Sequence, residues 1–267
     1  MFVDSHCHLD FPQFSTELPQ IYRNMAAHAV THALCISVNL PDFPRVLQLA
    51  ESQPFLFASV GVHPDYEETP EPSVEELVRL AAHPKIVAIG ETGLDYYRLN
   101  GRTIEEMAWQ RQRFCTHIQA ARQVKKPLII HTRQAATDTL ELMRAESAHE
   151  AGGVLHCFTE TADFARAVLD MGFYISFSGI VSFKNAADLR EVARWVPADR
   201  LLIETDSPYL APVPMRGKVN QPAYVKHVAT CLAELRQVSV DALATQTTAN
   251  FFRLFRHAQP TPQSSFQ

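Results

Sequence analysis

Eight short, near-continuous apolar runs recur along this chain, and each is followed by sequence with helical spacing. No other feature limits the fold as strongly. The runs fall at 2–9, 33–38, 55–62, 86–90, 127–130, 153–155, 173–177 and 201–203. Helical patterns lie at 19–30, 41–50, 73–83, 104–124, 135–147, 162–171, 186–195, 223–236 and 240–255. Strands that are apolar on both faces and alternate with amphipathic helices belong to a parallel sheet covered by helices. Eight such units within 267 residues predict a single-domain (β/α)8 TIM barrel over residues 1–257. An open doubly wound sheet is disfavoured, because no Gly-x-Gly-x-x-Gly follows the first run. Residues 258–267, rich in Gln, Pro and Ser, are expected to form a flexible tail.

A barrel of this kind carries its chemistry at the C-terminal ends of its strands. The runs end at His6 and His8, Asn39, His63, Glu91, His131, His156, Ser178, and Glu204 with Asp206. Five of the 12 histidines stand at these ends; the other seven fall on helices or connections and read as ordinary surface residues. Carboxylates and imidazoles gathered at a buried mouth cost several kcal/mol (roughly) unless they are paired or bind cations. His6, His8, Glu91, His131, His156 and Asp206 are therefore the expected metal ligands. Six ligands exceed what one open catalytic ion needs and suit two. Glu91, between the histidine groups, is the expected bridge, with His6, His8 and Asp206 on one ion and His131 and His156 on the other.

The remaining candidates are less determined by pattern. Glu204 shares a face with Asp206 and could serve as general base, as a carboxylate orienting a histidine, or as ligand of a further ion. His63 and Arg133 read as substrate or phosphate contacts, or else as a rim residue and a surface arginine. Tyr96, Tyr97 and Arg98 could form a base-stacking and phosphate platform, or an ordinary loop anchor. Arg216 and Lys218 lie in the Pro-rich loop after the eighth run. Arg111, Arg113, Lys125 and Lys126 read as a solvated helix face and its end, and Cys7 and Cys157 as core packing.

The formal net charge of −5 gives no general attraction to nucleic acid, so a polyanionic substrate must be held locally or through metal. Five scattered cysteines with no Cys-x-x-Cys suit reduced thiols, and the absence of a signal-like or membrane-length apolar run leads to the expectation of a cytoplasmic protein.

The strand-end strings resemble one known family. Val3-Asp-Ser-His-Cys-His-Leu-Asp10, Gly61-Val-His-Pro64, Ile89-Gly-Glu-Thr-Gly-Leu-Asp95, His131-Thr-Arg133, Leu155-His-Cys-Phe158, Tyr174-Ile-Ser-Phe-Ser-Gly-Ile180 and Glu204-Thr-Asp-Ser-Pro-Tyr-Leu-Ala-Pro212 are similar to those of the TatD metal-dependent deoxyribonucleases, in the amidohydrolase superfamily. The resemblance implies a barrel with two or three divalent ions (Mg²⁺, Mn²⁺ or Zn²⁺). It also implies phosphodiester hydrolysis, with 3′-to-5′ trimming of single-stranded DNA ends and RNA as a variant substrate. His6, His8, Glu91, His131, His156 and Asp206 match the family's ligand positions, and His63 and Glu204 match residues near the scissile phosphate. With Glu91, Glu204 and Asp206 as the catalytic carboxylates, the expected enzyme works without a membrane, as a monomer or weak homo-oligomer. Asn220-Gln221-Pro222 departs from the commoner Asn-Glu-Pro; a neutral Gln there weakens the charge facing the helix it opens. The competing reading is hydrolysis of an aminoacyl-tRNA ester or a small amide or lactone. Many relatives of that kind bridge their metals with a modified lysine from the fourth strand, a position that is Glu91 here.

Overall fold

The computed structural model describes residues 1–260. It contains eight parallel strands in sequential order: β1 (Phe2–Cys7), β2 (Val30–Cys35), β3 (Leu56–Val60), β4 (Ile86–Asp95), β5 (Leu128–Arg133), β6 (Gly153–Leu155), β7 (Tyr174–Phe177) and β8 (Leu201–Ile203). The ring closes just beyond β8. Cys7 bridges Ser207, the Asp206 N–H donates to the His6 carbonyl at 2.9 Å, and the His8 N–H donates to the Ser207 carbonyl at 2.9 Å. The expected (β/α)8 barrel is the fold observed.

Helices α1 (Leu18–Ala27), α2 (Phe43–Ser52), α3 (Val74–Ala81), α4 (Ala108–Val124), α5 (Ala136–Ala145), α6 (Ala162–Asp170), α7 (Ala187–Trp195), α8 (Val225–Arg236) and α9 (Val240–Leu254) follow the strands. Ser73, Thr161 and Ser239 cap α3, α6 and α9 by accepting a backbone N–H of the first turn. Two apolar cores result. One lies between strands and helices. The other draws Val3, Leu34, Phe57, Val87, Ile129, Val154, Tyr174 and Leu202, one from every strand, together with Phe251, Phe255 and Ala258. Side chains contributed by all eight strands of a closed ring can meet only inside it, so α9 plugs the N-terminal end. With that end filled, the chemistry is left to the opposite mouth.

Strand alternation then aims the candidate ligands. Ile129, Val154 and Leu202 point inward, so two residues further on His131, His156 and Glu204 point inward as well, at the mouth.

Several expectations are corrected by the fold. The fourth strand does not stop at Gly90 but continues through Glu91 to Asp95, pairing Gly93 with His131 and Asp95 with Arg133. Glycine normally argues against a strand interior. Here Gly93 has φ of 134°, and a Cβ on it would collide with the His131 carbonyl. Tertiary approach thus makes a strand from a loop-like string. Arg113 and Lys126, expected on a solvated face, are buried. Arg113 donates to Glu71 and to the His63 carbonyl, and Lys126 Nζ donates to the Ala81 and Ile86 carbonyls. His32 lies on β2 and His117 on α4, both buried rather than at the surface. Ala258, placed in the tail by sequence, belongs to the barrel plug; residues 261–267 of that tail lie outside the described residues.

His117 ties α4 to the mouth: its Nε2 accepts the Val62 N–H at 3.0 Å, and its Nδ1 donates to the Arg113 carbonyl at 2.8 Å. Burial, aided by the nearby Arg113 cation, lowers its pKa from 6.5 to about 4. The unfolded chain takes up this proton first as pH falls. The residue's contribution to stability is therefore complete above pH 6.5 and is lost on descending to about pH 4. The loss amounts to about 3 kcal/mol. Chemical unfolding of the wild type and of His117→Gln, which retains a donor and an acceptor, should show the stability gap shrinking across that window. A gap independent of pH would exclude a buried neutral imidazole.

Candidate active site

Glu91 is the centre of the mouth. Its carboxylate lies within 2.7 Å of His156 Nε2, 3.2 Å of His6 Nε2, 3.3 Å of His63 Nε2 and 3.3 Å of His131 Nδ1. Burial opposes its charge, but His156, His63, His6 and His131 hold its pKa well below the usual carboxylate range. On the closing seam, His8 Nε2 lies 3.4 Å and His6 Nε2 3.6 Å from Asp206 Oδ1. Asp206 has φ of 56°, a left-handed turn that Asp tolerates and that swings its carboxylate over the His-x-His pair.

Hydrogen bonds outside this cluster settle which nitrogen of each ring faces inward. His131 donates Nε2–H to Asp95 Oδ2 at 3.0 Å, which leaves the Nδ1 lone pair toward Glu91. His156 donates Nδ1–H to Glu204 Oε1 at 3.3 Å, leaving Nε2. His63 is the reverse case. Its Nδ1 accepts the Asp65 N–H at 3.0 Å, so the neutral ring carries its proton on the nitrogen facing Glu91. That makes His63 a hydrogen-bond donor at the mouth rather than a lone-pair ligand.

The donor set fits divalent cations. Two groups bring ligand atoms within 4.8 Å of one another, His6 with His156 and Asp206, and His6 with His8 and Glu91; in a third, Glu91 and His131 lie equally close to His63, whose proton on Nε2 sets it apart as a donor. Nδ1 of His6 and Nδ1 of His8 are buried without a hydrogen-bond partner, while Nε2 of His6 and Nε2 of His156 crowd the Glu91 carboxylate. Imidazole nitrogens packed against carboxylates are costly in an interior unless a proton or a metal cation lies between them. Against the cost of burial, Asp95 and Glu91 carry the His131 pKa up to about 9, and Glu91 and Glu204 carry that of His156 well above the usual. Divalent cations would take the place of those protons.

Of the roles left open for Glu204, its contacts favour orientation: Oε1 accepts both His156 Nδ1–H and the Cys157 N–H, and the side chain is 1% exposed. Arg133 is exposed, and its guanidinium lies over the Tyr97 ring at 3.6 Å. Arg98 is exposed in the same loop. Tyr96, by contrast, has a buried ring, and its hydroxyl is bonded to Asp138 and Arg111. Its neighbour Tyr97 is the exposed member of the pair. Cys7 packs in the core as expected, whereas Cys157 is only partly buried, beside Ser178 Oγ. Gln221 places no charge at a helix end: its side chain accepts Asn24 Nδ2 of α1 at 2.7 Å.

Two carboxylates escaped the sequence reading. Asp95 bonds His131 through one oxygen and the Tyr97 N–H through the other. Asp4 accepts the Thr205 N–H, its hydroxyl and the His6 N–H, and burial raises its pKa to about 8. Both sit inside strand-like strings near the ligands, and an acid in such a string was the available signal.

The family described as TatD related DNase matches residues 3–256. The chain belongs to the TatD family. It is 50% identical over 256 residues, 95% of each chain, to the Escherichia coli K12 uncharacterized metal-dependent hydrolase YcfH. It is 34% identical over 263 residues, covering 96% of this chain and 100% of its relative, to the 3′-5′ ssDNA/RNA exonuclease TatD of Edwardsiella piscicida. Among solved structures, the TatD homologue YjjV of E. coli K12 superposes with a TM-score of 0.88 at 29% identity, covering 96% of this chain and 98% of that one. This TatD-family chain is thus a metal-dependent hydrolase. Among its described residues no helix is long and apolar enough to cross a membrane.

If Asp95 orients His131, Asp95→Asn should weaken divalent-metal affinity by about 10-fold or more while leaving the fold intact. Glu91→Ala should reduce the number of ions bound. Competition with a chromophoric chelator and elemental analysis measure the two effects; wild-type affinity and stoichiometry in both variants would refute these roles.

Proposed function

We propose that this hydrolase cleaves phosphodiester bonds at single-stranded nucleic-acid ends, with 3′-to-5′ exonucleolytic trimming of DNA as its main activity and RNA as a further substrate. The observation that carries the reading is the convergence of His6, His8, Glu91, His131, His156 and Asp206 on one mouth, a set suited to two divalent ions. Such ions, when bound, supply charge against the phosphoryl oxygens and acidify water. The imidazole nitrogens suit Zn²⁺, and the carboxylate oxygens of Glu91 and Asp206 suit Mn²⁺ or Mg²⁺.

The chain's own groups divide the remaining work. Asp206 is the proton acceptor: its side chain is 16% exposed, against 3% for Glu91 and 1% for Glu204, so it alone of the three meets solvent. Although burial opposes its charge, hydrogen bonding to His8 and the charges of His6 and His156 keep its pKa low, and so keep it ionised. His63, with its proton on Nε2, is placed to donate to a phosphoryl oxygen. Arg133, exposed at the end of β5, is the cation for the neighbouring phosphate.

A lysine bridge of the amide-hydrolase kind has no candidate on β4. Lys85, before the strand, donates Nζ to the Gln53, Pro54 and Leu56 carbonyls, away from the mouth. That supports the phosphodiesterase over an amide, lactone or aminoacyl esterase.

With Mg²⁺ or Mn²⁺ present, a 3′- or 5′-labelled single-stranded oligonucleotide should be shortened faster than its duplex, while a closed circle should resist. Arg133→Ala should cost ~1.5–3 kcal/mol in kcat/KM, the worth of a hydrogen bond to a charged group. Asp206→Asn should stop hydrolysis. A circle cut as fast as the linear strand would end the exonuclease reading, and cleavage of an aminoacyl ester but of no oligonucleotide would end the phosphodiesterase reading.

A further inference from the structure

Three of the four exposed aromatic side chains among the described residues, Tyr66, Tyr97 and Tyr209, stand on loops leaving the C-terminal ends of strands. Two of them are built into pairs. Tyr97, just after β4, lies under the Arg133 guanidinium at the end of β5, at 3.6 Å. Tyr209, after β8, meets Phe11, after β1, edge-on at 6.2 Å. In a closed ring of eight sequential strands, the β4/β5 side lies directly across from the β8/β1 side. The two pairs therefore face each other over the metal-ligand cluster.

Each pair is also tied to the ligands on its own side. Phe11 stacks on His8 with ring centroids 4.7 Å apart and planes 21° apart. The Tyr97 N–H donates to Asp95 Oδ1 at 2.8 Å, while Asp95 Oδ2 accepts from His131. Tyr97 and Tyr209 are nonetheless 52% and 53% exposed, each with a single ring contact among the described residues, which leaves aromatic surface free. Half-exposed aromatic faces, as at Tyr209, and an aromatic face beside an arginine, as at Tyr97, are what unstacked nucleobases bind without regard to sequence.

We infer that Tyr97 with Arg133 and Tyr209 with Phe11 are two base-stacking platforms that hold the nucleotides on either side of the scissile phosphate. The inference rests on the nuclease reading above and adds a requirement: both flanking bases must be out of a duplex stack for the phosphate to reach the cluster. Single-strand preference then follows from the platforms. No base edge is read, so cleavage proceeds through any sequence. The side of Tyr97 that carries Arg133 also places a cation beside the neighbouring phosphate.

The test is steady-state kinetics on single-stranded oligonucleotides, with intact ends or with an abasic residue at the last or penultimate position. Tyr97→Ala and Tyr209→Ala should each raise KM about 10-fold on intact strands with kcat held within about 3-fold, and Tyr97→Phe and Tyr209→Phe should restore it. On the strand whose missing base belongs to a given platform, the corresponding alanine variant should lose no further affinity. Wild-type KM in both alanine variants, or the same penalty on intact and abasic strands, would overturn the platforms and leave the nuclease reading standing. A wild-type enzyme that hydrolyses methyl p-nitrophenyl phosphate but no oligonucleotide would overturn the nuclease reading and the platforms with it.

Discussion

The structure turns on one buried carboxylate. Glu91 is 2% exposed and surrounded by the imidazoles of His6, His63, His131 and His156. A carboxylate there without partners would cost several kcal/mol (roughly), and so would the imidazoles without a negative group or cation among them. Each makes the other tolerable, and the barrel is shaped to bring them together. Gly61 on the β3 side leaves room for the Gly90 backbone, which a Cβ would meet at 2.5 Å, so the two chains approach closely where Glu91 enters the mouth. The ladder of β4 then continues past Glu91 to Asp95, and the same strand supplies both the central carboxylate and the group that orients His131.

The seam where the ring closes does comparable work. β8 is only three residues long, and the segment after it is held by specific contacts more than by a ladder. Asp4 of β1 accepts from Thr205, and Asn220 donates to the Thr205 and Tyr209 carbonyls. These contacts fix Glu204 and Asp206 on either side of Thr205, one facing His156 and the other the His-x-His pair. Asn220 also anchors the loop that presents Tyr209. Ligand geometry and rim geometry thus share one set of buried hydrogen bonds, which explains why so polar a stretch is buried.

The cations follow a different logic. Lys85, Lys126 and Arg113 spend their donors on backbone carbonyls and Glu71, and Arg111 spends its donors on Ile104, Glu105 and Tyr96. They serve the barrel wall, leaving Arg98 and Arg133 exposed near the β4/β5 side of the mouth, with Arg216 and Lys218 exposed on the β8 loop. With a net charge of −5, the surface as a whole gives no general attraction for a polyanion.

Fold class and most of the residues that converge at the mouth were legible in the sequence. Eight apolar runs have few ways to bury both faces, and ligand-type residues at their ends stand out against apolar neighbours. His6, His8, His131 and His156 could be named for that reason. Only tertiary structure decided what depends on residues distant in sequence. Whether Gly-Glu-Thr-Gly is loop or strand turns on the approach of His131, 38 positions after Gly93. Which tyrosine of Tyr96-Tyr97 faces solvent turns on Asp138 and Arg133. Whether Arg113, Lys126 and His117 are surface residues turns on carbonyls and amides of other elements. Local pattern records the period of a strand or helix; it does not record which polar group will be buried, because that is set by the partner the fold brings to it.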